Sequence, residues 1–322
     1  MPGVRRLMLP TPYAVGPVNA YVVTGEEPTL IDVGPATPEA ADALVSQLGQ
    51  VGLTLANIRR VIITHAHPDH YGALALLGQV NWEVAVHPLA SLWMAGGEDS
   101  LEARVSFYVG FLRQCGLPGE LLRASQRDGL GLRDYPRGIP VHRFLQEGDV
   151  VRAGDHLLRV HYTPGHASSA ICLLGSGGLL FSGDTLLAHI SSNALVEPVG
   201  SWRDGRRRSL PEYLASLVRL QNLPLKKVLP GHGDEIEGHG QLIAERLRFY
   251  RERRDRILGF IQAEVTTVYE LCLRLFPSLK AEQLFLGLSE TVGYLDLLEA
   301  DGLIVADATG PVTTYRRPEL HG

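Results

Sequence analysis

Four short apolar runs in this chain each end on a tight turn that carries residues able to ligate a metal. Val61-Ile62-Ile63-Thr64 runs directly into His65-Ala66-His67-Pro68-Asp69-His70. Later runs end in Thr163-Pro164-Gly165-His166, Ser182-Gly183-Asp184-Thr185 and Leu229-Pro230-Gly231-His232-Gly233. A short, wholly apolar run is what a strand buried on both faces shows. Glycine in each later turn lets the backbone approach a site closely. Imidazole and carboxylate suit zinc, iron or manganese. A lone Pro-Gly-His is explained by an ordinary turn; three such strand ends beside a six-residue ligand cluster are not.

The rest of the chain supplies a scaffold for those strand ends. Residues 18–24 and 29–33 read as strands joined by a hairpin-like turn, with Asp32-Val33-Gly34-Pro35 closing the second. Residues 38–49 carry apolar residues at helical spacing. Strands are expected again at 83–86, near 150, and at 157–162, 170–174, 178–181 and 227–229, with a helix over 211–221. Residues from about 90 to 140 break the rhythm and read as a helical insertion, with helices over 100–115 and 118–127. A long amphipathic helix is expected over 241–262, then short helices starting at Thr266, at 280–286 and at 289–300, and a hairpin over 303–316. Three helices and a hairpin outline a winged-helix module. The division expected is therefore 1–237 for the main domain, 238–262 for a connecting helix and 263–322 for a winged-helix-like domain.

Composition excludes several classes. The 322 residues are 45% hydrophobic and 20% charged, ordinary values for a soluble globular protein. A net charge of −5 gives no global case for nucleic-acid binding. No apolar stretch approaches the roughly 20 residues of a membrane span. The first residues do not read as a signal peptide, and the three cysteines are widely spaced. A cytoplasmic location with reduced thiols is expected.

The whole motif set resembles the metallo-β-lactamase superfamily over about residues 15–237. The resemblance implies an α/β fold, the four-layer αββα sandwich, with two metal ions at one edge of its sheets. One ion would be held by His65, His67 and His166, the other by Asp69, His70 and His232, with Asp184 bridging. Zinc is expected, with iron or manganese as alternatives. An aspartate at 184, as in glyoxalase II, lactonases and ribonuclease Z, argues against the antibiotic-hydrolysing branch, which commonly carries cysteine near that position. The chemistry implied is attack by metal-bridging hydroxide on a carbonyl carbon or a phosphorus. Asp69 would orient that hydroxide, and His189 is the candidate to donate to the substrate. The remaining histidines (His87, His142, His156, His161, His239 and His321) have no partner spacing.

The tail resembles that of the β-lactamase-like protein 2 subgroup. Its last helix carries Glu290, Asp296 and Glu299 and no basic residue, so duplex DNA reading by that helix is rejected and packing or homodimerisation favoured. Arg206, Arg207 and Arg208 could face an anionic substrate, and Tyr108 and Phe111 of the insertion could form an apolar wall at the site. The expected activity is hydrolysis of a carboxylic ester, thioester or lactone. The alternative is a single-strand endoribonuclease using the same dinuclear site, so the expected partners are a small acyl substrate or single-stranded RNA.

Overall fold

The computed structural model describes residues 2–78, 81–96, 98–128, 131–132, 135–261 and 265–319. Gln262 and His321 lie outside them. The apolar runs do become buried strands. One six-stranded sheet holds β1 (Val4–Leu9), β2 (Val18–Val23), β3 (Thr29–Ile31), β4 (Arg60–Ile62), β5 (Glu83–Val86) and β6 (Arg143–Phe144), in that spatial order. β1 to β3 pair antiparallel, and β3 to β6 run parallel. A five-stranded sheet holds β7 (Val150–Ala153), β8 (His156–Tyr162), β9 (Ile171–Gly175), β10 (Leu179–Gly183) and β11 (Lys227–Pro230), with β11 and β7 at its edges. Only β10 and β11 pair parallel there.

The two sheets share one core. Tyr21, Val23, Ile31, Ile62 and Ala85 from the first meet Val151, Leu158, Val160, Leu173, Phe181 and Leu229 from the second. Burying side chains of this size contributes roughly 1.5–3 kcal/mol each before the entropy of ordering is counted. Helix α1 (Pro38–Gln50) lies beside β1: the Gln47 amide and the Met8 backbone exchange two hydrogen bonds of 2.9 and 3.0 Å. Thr37 starts this helix by accepting from the Ala40 N–H, and Ala40, Leu44 and Leu48 form its buried stripe. Two short helices follow, α2 (Pro68–Tyr71) and α3 (Ser91–Met94).

The chain divides into two compact units, and the division is not linear in sequence. The first comprises 1–97, 135–192 and 215–243, and the second 98–134, 193–214 and 244–322. The insertion therefore groups with the C-terminal region. The second unit holds α4 (Glu98–Gln114) and α5 (Gly119–Asp128). Two longer helices, α6 (Ser209–Gln221) and α7 (His239–Phe260), contain points where the chain passes between units. The second unit continues with α8 (Val268–Leu275), α9 (Leu284–Ala300) and a three-stranded sheet of β12 (Thr266–Thr267), β14 (Thr314–Arg316) and β13 (Val305–Asp307), in that order.

Several expectations need correction. Thr267 does open a helix, capping α8 by accepting from the Glu270 N–H while Glu270 accepts from the Thr267 N–H, but Thr266 and Thr267 also pair as the strand β12. The two helices expected over 280–300 are a single turn, Ala281–Gln283, followed by one unbroken helix. Gly287 does not interrupt it: a Cβ there would lie 2.8 Å from Leu279 Cδ2 and 3.0 Å from Cys272 Sγ, so this glycine serves close packing. The N-terminal strand β1 carries no alternation strong enough to read from sequence.

Tyr108 and Phe111 are buried within the second unit, packed edge-on against Phe285 at 5.1 and 6.2 Å, and so line this unit's own core. The arginine run is engaged too. Arg206 makes a two-pronged pair with Asp296, both bonds 2.6 Å, while Arg207 binds Glu212 and Arg208 binds Glu299. These are its contacts in place of an unpaired cationic face. Asp296 is buried, so Arg206→Ala is expected to destabilise the protein by about 3 kcal/mol through the carboxylate left behind. Urea unfolding followed by circular dichroism reads this, and Arg208→Ala, at an exposed pair, should change stability by no more than about 1 kcal/mol.

Candidate metal centre

The site is assembled from strand ends of both sheets. β4 ends at Ile62, and the chain delivers His65 and His67 before Pro68 opens α2, the position in a helix where proline loses nothing. Asp69 and His70 sit in that single turn of helix. His166 comes from the turn between β8 and β9, Asp184 directly follows β10, and His232 follows β11.

These seven side chains converge. His65, His67 and His166 form one group whose ligand atoms lie within 4.8 Å of each other, and Asp69, His70 and His232 form a second. His65, His70 and Asp184 form a third that overlaps both. Asp184 Oδ1 lies 3.5 Å from His70 Nε2, and its Oδ2 lies 3.7 Å from His166 Nε2 and 3.5 Å from His232 Nε2. The turn closing the group admits only glycine at 231, because a Cβ would fall 2.2 Å from Asp184 Oδ1 and 2.7 Å from His70 Cε1.

The outer nitrogen of each of four imidazoles is held from behind. His65 Nδ1 lies 3.1 Å from Thr64 Oγ1, His70 Nδ1 2.8 Å from Asp32 Oδ2, His166 Nδ1 2.8 Å from Ser192 Oγ and His232 Nδ1 2.9 Å from the Pro17 carbonyl. Each ring thereby turns Nε2 into the group. Among the described residues, the buried Nε2 atoms of His65 and His70, and Asp184 Oδ1, find no well-formed hydrogen bond. Buried acceptors are costly to leave unmatched, and a cation is the partner this donor set fits. Holding one ring nitrogen to orient the other is the usual support of a metal-binding histidine.

For His65, His67 and Asp184 the electrostatics agree. Burial, reinforced by neighbouring histidines, holds His65 well below its ordinary pKa and pushes His67 down to about 3, so both keep the lone pair a cation needs. Burial opposes charge on His70, yet the carboxylates of Asp184, Asp32 and Asp69 outweigh it and raise that pKa. Burial likewise opposes ionisation of Asp184, but His70, His232 and His166 hold it well below the carboxylate range.

Asp32 escaped the sequence reading as a site residue. Among the described residues it alone, apart from glycines, adopts a positive φ, at 58°. Its carboxylate accepts from the Thr64 N–H and hydroxyl, both at 2.8 Å, as well as engaging His70. The available signal was an acid closing a buried strand in Asp32-Val33-Gly34-Pro35. Of the other residues singled out, His189 belongs to the same unit. It is largely exposed, with Nε2 2.8 Å from Asp234 Oδ2, and its ring lies 3.7 Å from where a Cβ on Gly233 would stand. Tyr108, Phe111 and Arg206 to Arg208 lie in the other unit.

A sandwich of two mixed sheets with this ligand set defines a metallo-hydrolase fold. Residues 13–232 match the model of the metallo-beta-lactamase superfamily, and the chain belongs to it. It is 34% identical over 313 residues to the "Probable metallo-hydrolase YqjP" of Bacillus subtilis (strain 168), covering 96% of each chain. Its fold is similar to that of a metallo-beta-lactamase family protein from Thermus thermophilus, with a TM-score of 0.80, 28% identity and 99% of both chains covered. It is also 34% identical to the acyl-coenzyme A thioesterase MBLAC2 of Gallus gallus, over 53% of this chain and 55% of that one. No helix among the described residues is long and apolar enough to cross a membrane.

Asp32→Ala is expected to weaken metal binding about 10–100-fold by releasing His70 Nδ1. Competition for zinc against a chromophoric chelator measures the change.

Proposed function

We propose that this protein is a dinuclear metal-dependent hydrolase acting on a carboxylic ester, thioester or lactone. The observation that carries the reading is the pair of ligand triads overlapping at Asp184. His65, His67 and His166 would hold one cation and Asp69, His70 and His232 the other, with Asp184 shared. Zinc suits the nitrogen-rich set best, with iron or manganese also accommodated. When bound, such cations polarise a carbonyl oxygen and lower the pKa of water to near neutrality.

The chain's own groups supply orientation and proton handling. Asp69 Oδ2 faces His232 Nε2 at 3.2 Å, and its Oδ1 is assigned to accept a proton of the attacking water. His189 is assigned to donate from Nδ1 to the leaving atom, with Asp234 balancing the imidazolium charge from the Nε2 side. The thioesterase relative supports acyl chemistry. The pairing of Arg206, Arg207 and Arg208 with acidic side chains weighs against the ribonuclease alternative, since a phosphate strand needs unpaired cations.

For the second unit we propose that residues 263–322 are a winged-helix-like module serving packing or dimerisation, as in the β-lactamase-like protein 2 subgroup. The order of elements β12, α8, α9, β13 and β14 supports it. The three buried, unpaired cysteines suit a reducing, cytoplasmic compartment.

A panel of thioesters and lactones assayed beside labelled single-stranded RNA tests the activity, with metal analysis of the same preparations. The expected result is about two metals per chain after reconstitution, turnover of an acyl substrate, and its loss in His67→Ala. RNA cleavage abolished by His67→Ala, without acyl turnover, would transfer the assignment to the nuclease. Less than one bound metal in the wild type would end the dinuclear reading.

A further inference from the structure

The turn that carries His232 cannot stiffen itself. It contains Gly231, where no larger residue fits, and Gly233 at a φ of 74°. Glycine brings maximal backbone freedom, yet His232 must be held to complete the second triad. Beside a bond of 2.8 Å from the Gly231 N–H to the Gly183 carbonyl, the side-chain restraint comes chiefly from a segment 211 residues away in sequence. We propose that Asn19, on β2, is a positioning residue that fixes the 230–233 turn and thereby sets the affinity of the second triad for its cation; this rests on the dinuclear reading above.

Asn19 is buried at 2% exposure and grips three carbonyls of that turn. Its backbone N–H donates to Gly231 O at 2.6 Å, and its side-chain Nδ2 donates to Pro230 O at 3.1 Å and to Gly233 O at 2.8 Å. Both amide protons are used. A carboxamide of this length offers two donors from one atom, which neither aspartate nor serine can do. Tyr21, two residues along the same strand, faces the same way and donates its hydroxyl to Pro230 O at 2.7 Å. Pro17 supplies the carbonyl that accepts from His232 Nδ1. One short stretch, 17–21, thus holds both the backbone of the turn and the outer nitrogen of the ligand ring. The first triad draws its support elsewhere: His65 Nδ1 rests on Thr64 and His166 Nδ1 on Ser192.

Stepwise Co(II) titration followed by absorption reads the two sites separately, with apo-protein melting by circular dichroism as the control for folding. Wild type is expected to take two equivalents. Asn19→Ala should bind one equivalent with unchanged affinity and the other about 10–100-fold more weakly. Tyr21→Phe removes one donor and no bulk, so it should weaken that same equivalent by a smaller factor, and it decides the matter if Asn19→Ala does not fold. Unchanged affinity for both equivalents in the folded variants overturns the proposal, as does parallel weakening of both. Failure of wild type to take two equivalents overturns the dinuclear reading itself, and with it this one, and is visible without any variant.

Discussion

The centre depends on fixing its imidazoles by their outer nitrogens. Four buried rings, two carboxylates and the partly buried His67 crowd one pocket, and left to themselves such groups would pair with one another or draw in water. Thr64, Asp32, Ser192 and the Pro17 carbonyl oppose that by engaging Nδ1, although Asp69 Oδ2 still lies 3.2 Å from His232 Nε2. The inner nitrogens are then committed to a shared space. Removing one of these partners leaves the ligand in the sequence but releases its direction.

This explains what could be read from the chain and what could not. The candidate ligands were legible because each is announced locally: a run of buried-strand residues, then a glycine or proline turn, then a histidine or aspartate. The runs themselves read as buried strands; the αββα sandwich was implied by the family resemblance that their ligand-bearing turns carry. The supporting partners carry no local signature. Asp32 precedes His70 by 38 residues, and Pro17 precedes His232 by 215. The parallel pairing of β3 with β4 brings Asp32 to the His70 turn, and an isolated bridge between Val18 and His232 brings Pro17 to its imidazole. Unlike the ligands, they are ordinary residues, and tertiary geometry alone gives them a role.

Charge in the second unit resists sequence reading for a related reason. The acidic face of α9 and the arginines of 206–208 and α7 look like independent surfaces when taken segment by segment. In the folded unit they answer each other: Asp296 with Arg206, Glu299 with Arg208, Glu290 with Arg253 and Asp301 with Arg254. Arg253 also lies over the Phe249 and Phe276 rings, so its stem and its charge both serve packing. A balanced set of this kind orients α9 against its neighbours. It also explains why a helix with no basic residue can sit beside an arginine-rich one without leaving a strong field of either sign.

The same bonds that aim the ligands also close one edge of the sandwich. Tyr21 and Asn19 of the first sheet reach Pro230 and Gly233 at the end of β11 in the second. The Ile171 N–H of β9 donates to the Thr64 carbonyl beyond β4, and Ser169 Oγ accepts from the Ala66 N–H. Site and seam are therefore one hydrogen-bonded structure. A sheet edge rich in glycine turns would ordinarily be a weak margin. Here the cross-sheet bonds at Thr64, Ala66 and the 230–233 turn give that margin its rigidity, so the segments that carry His65 and His232 are held by the way the two sheets are joined.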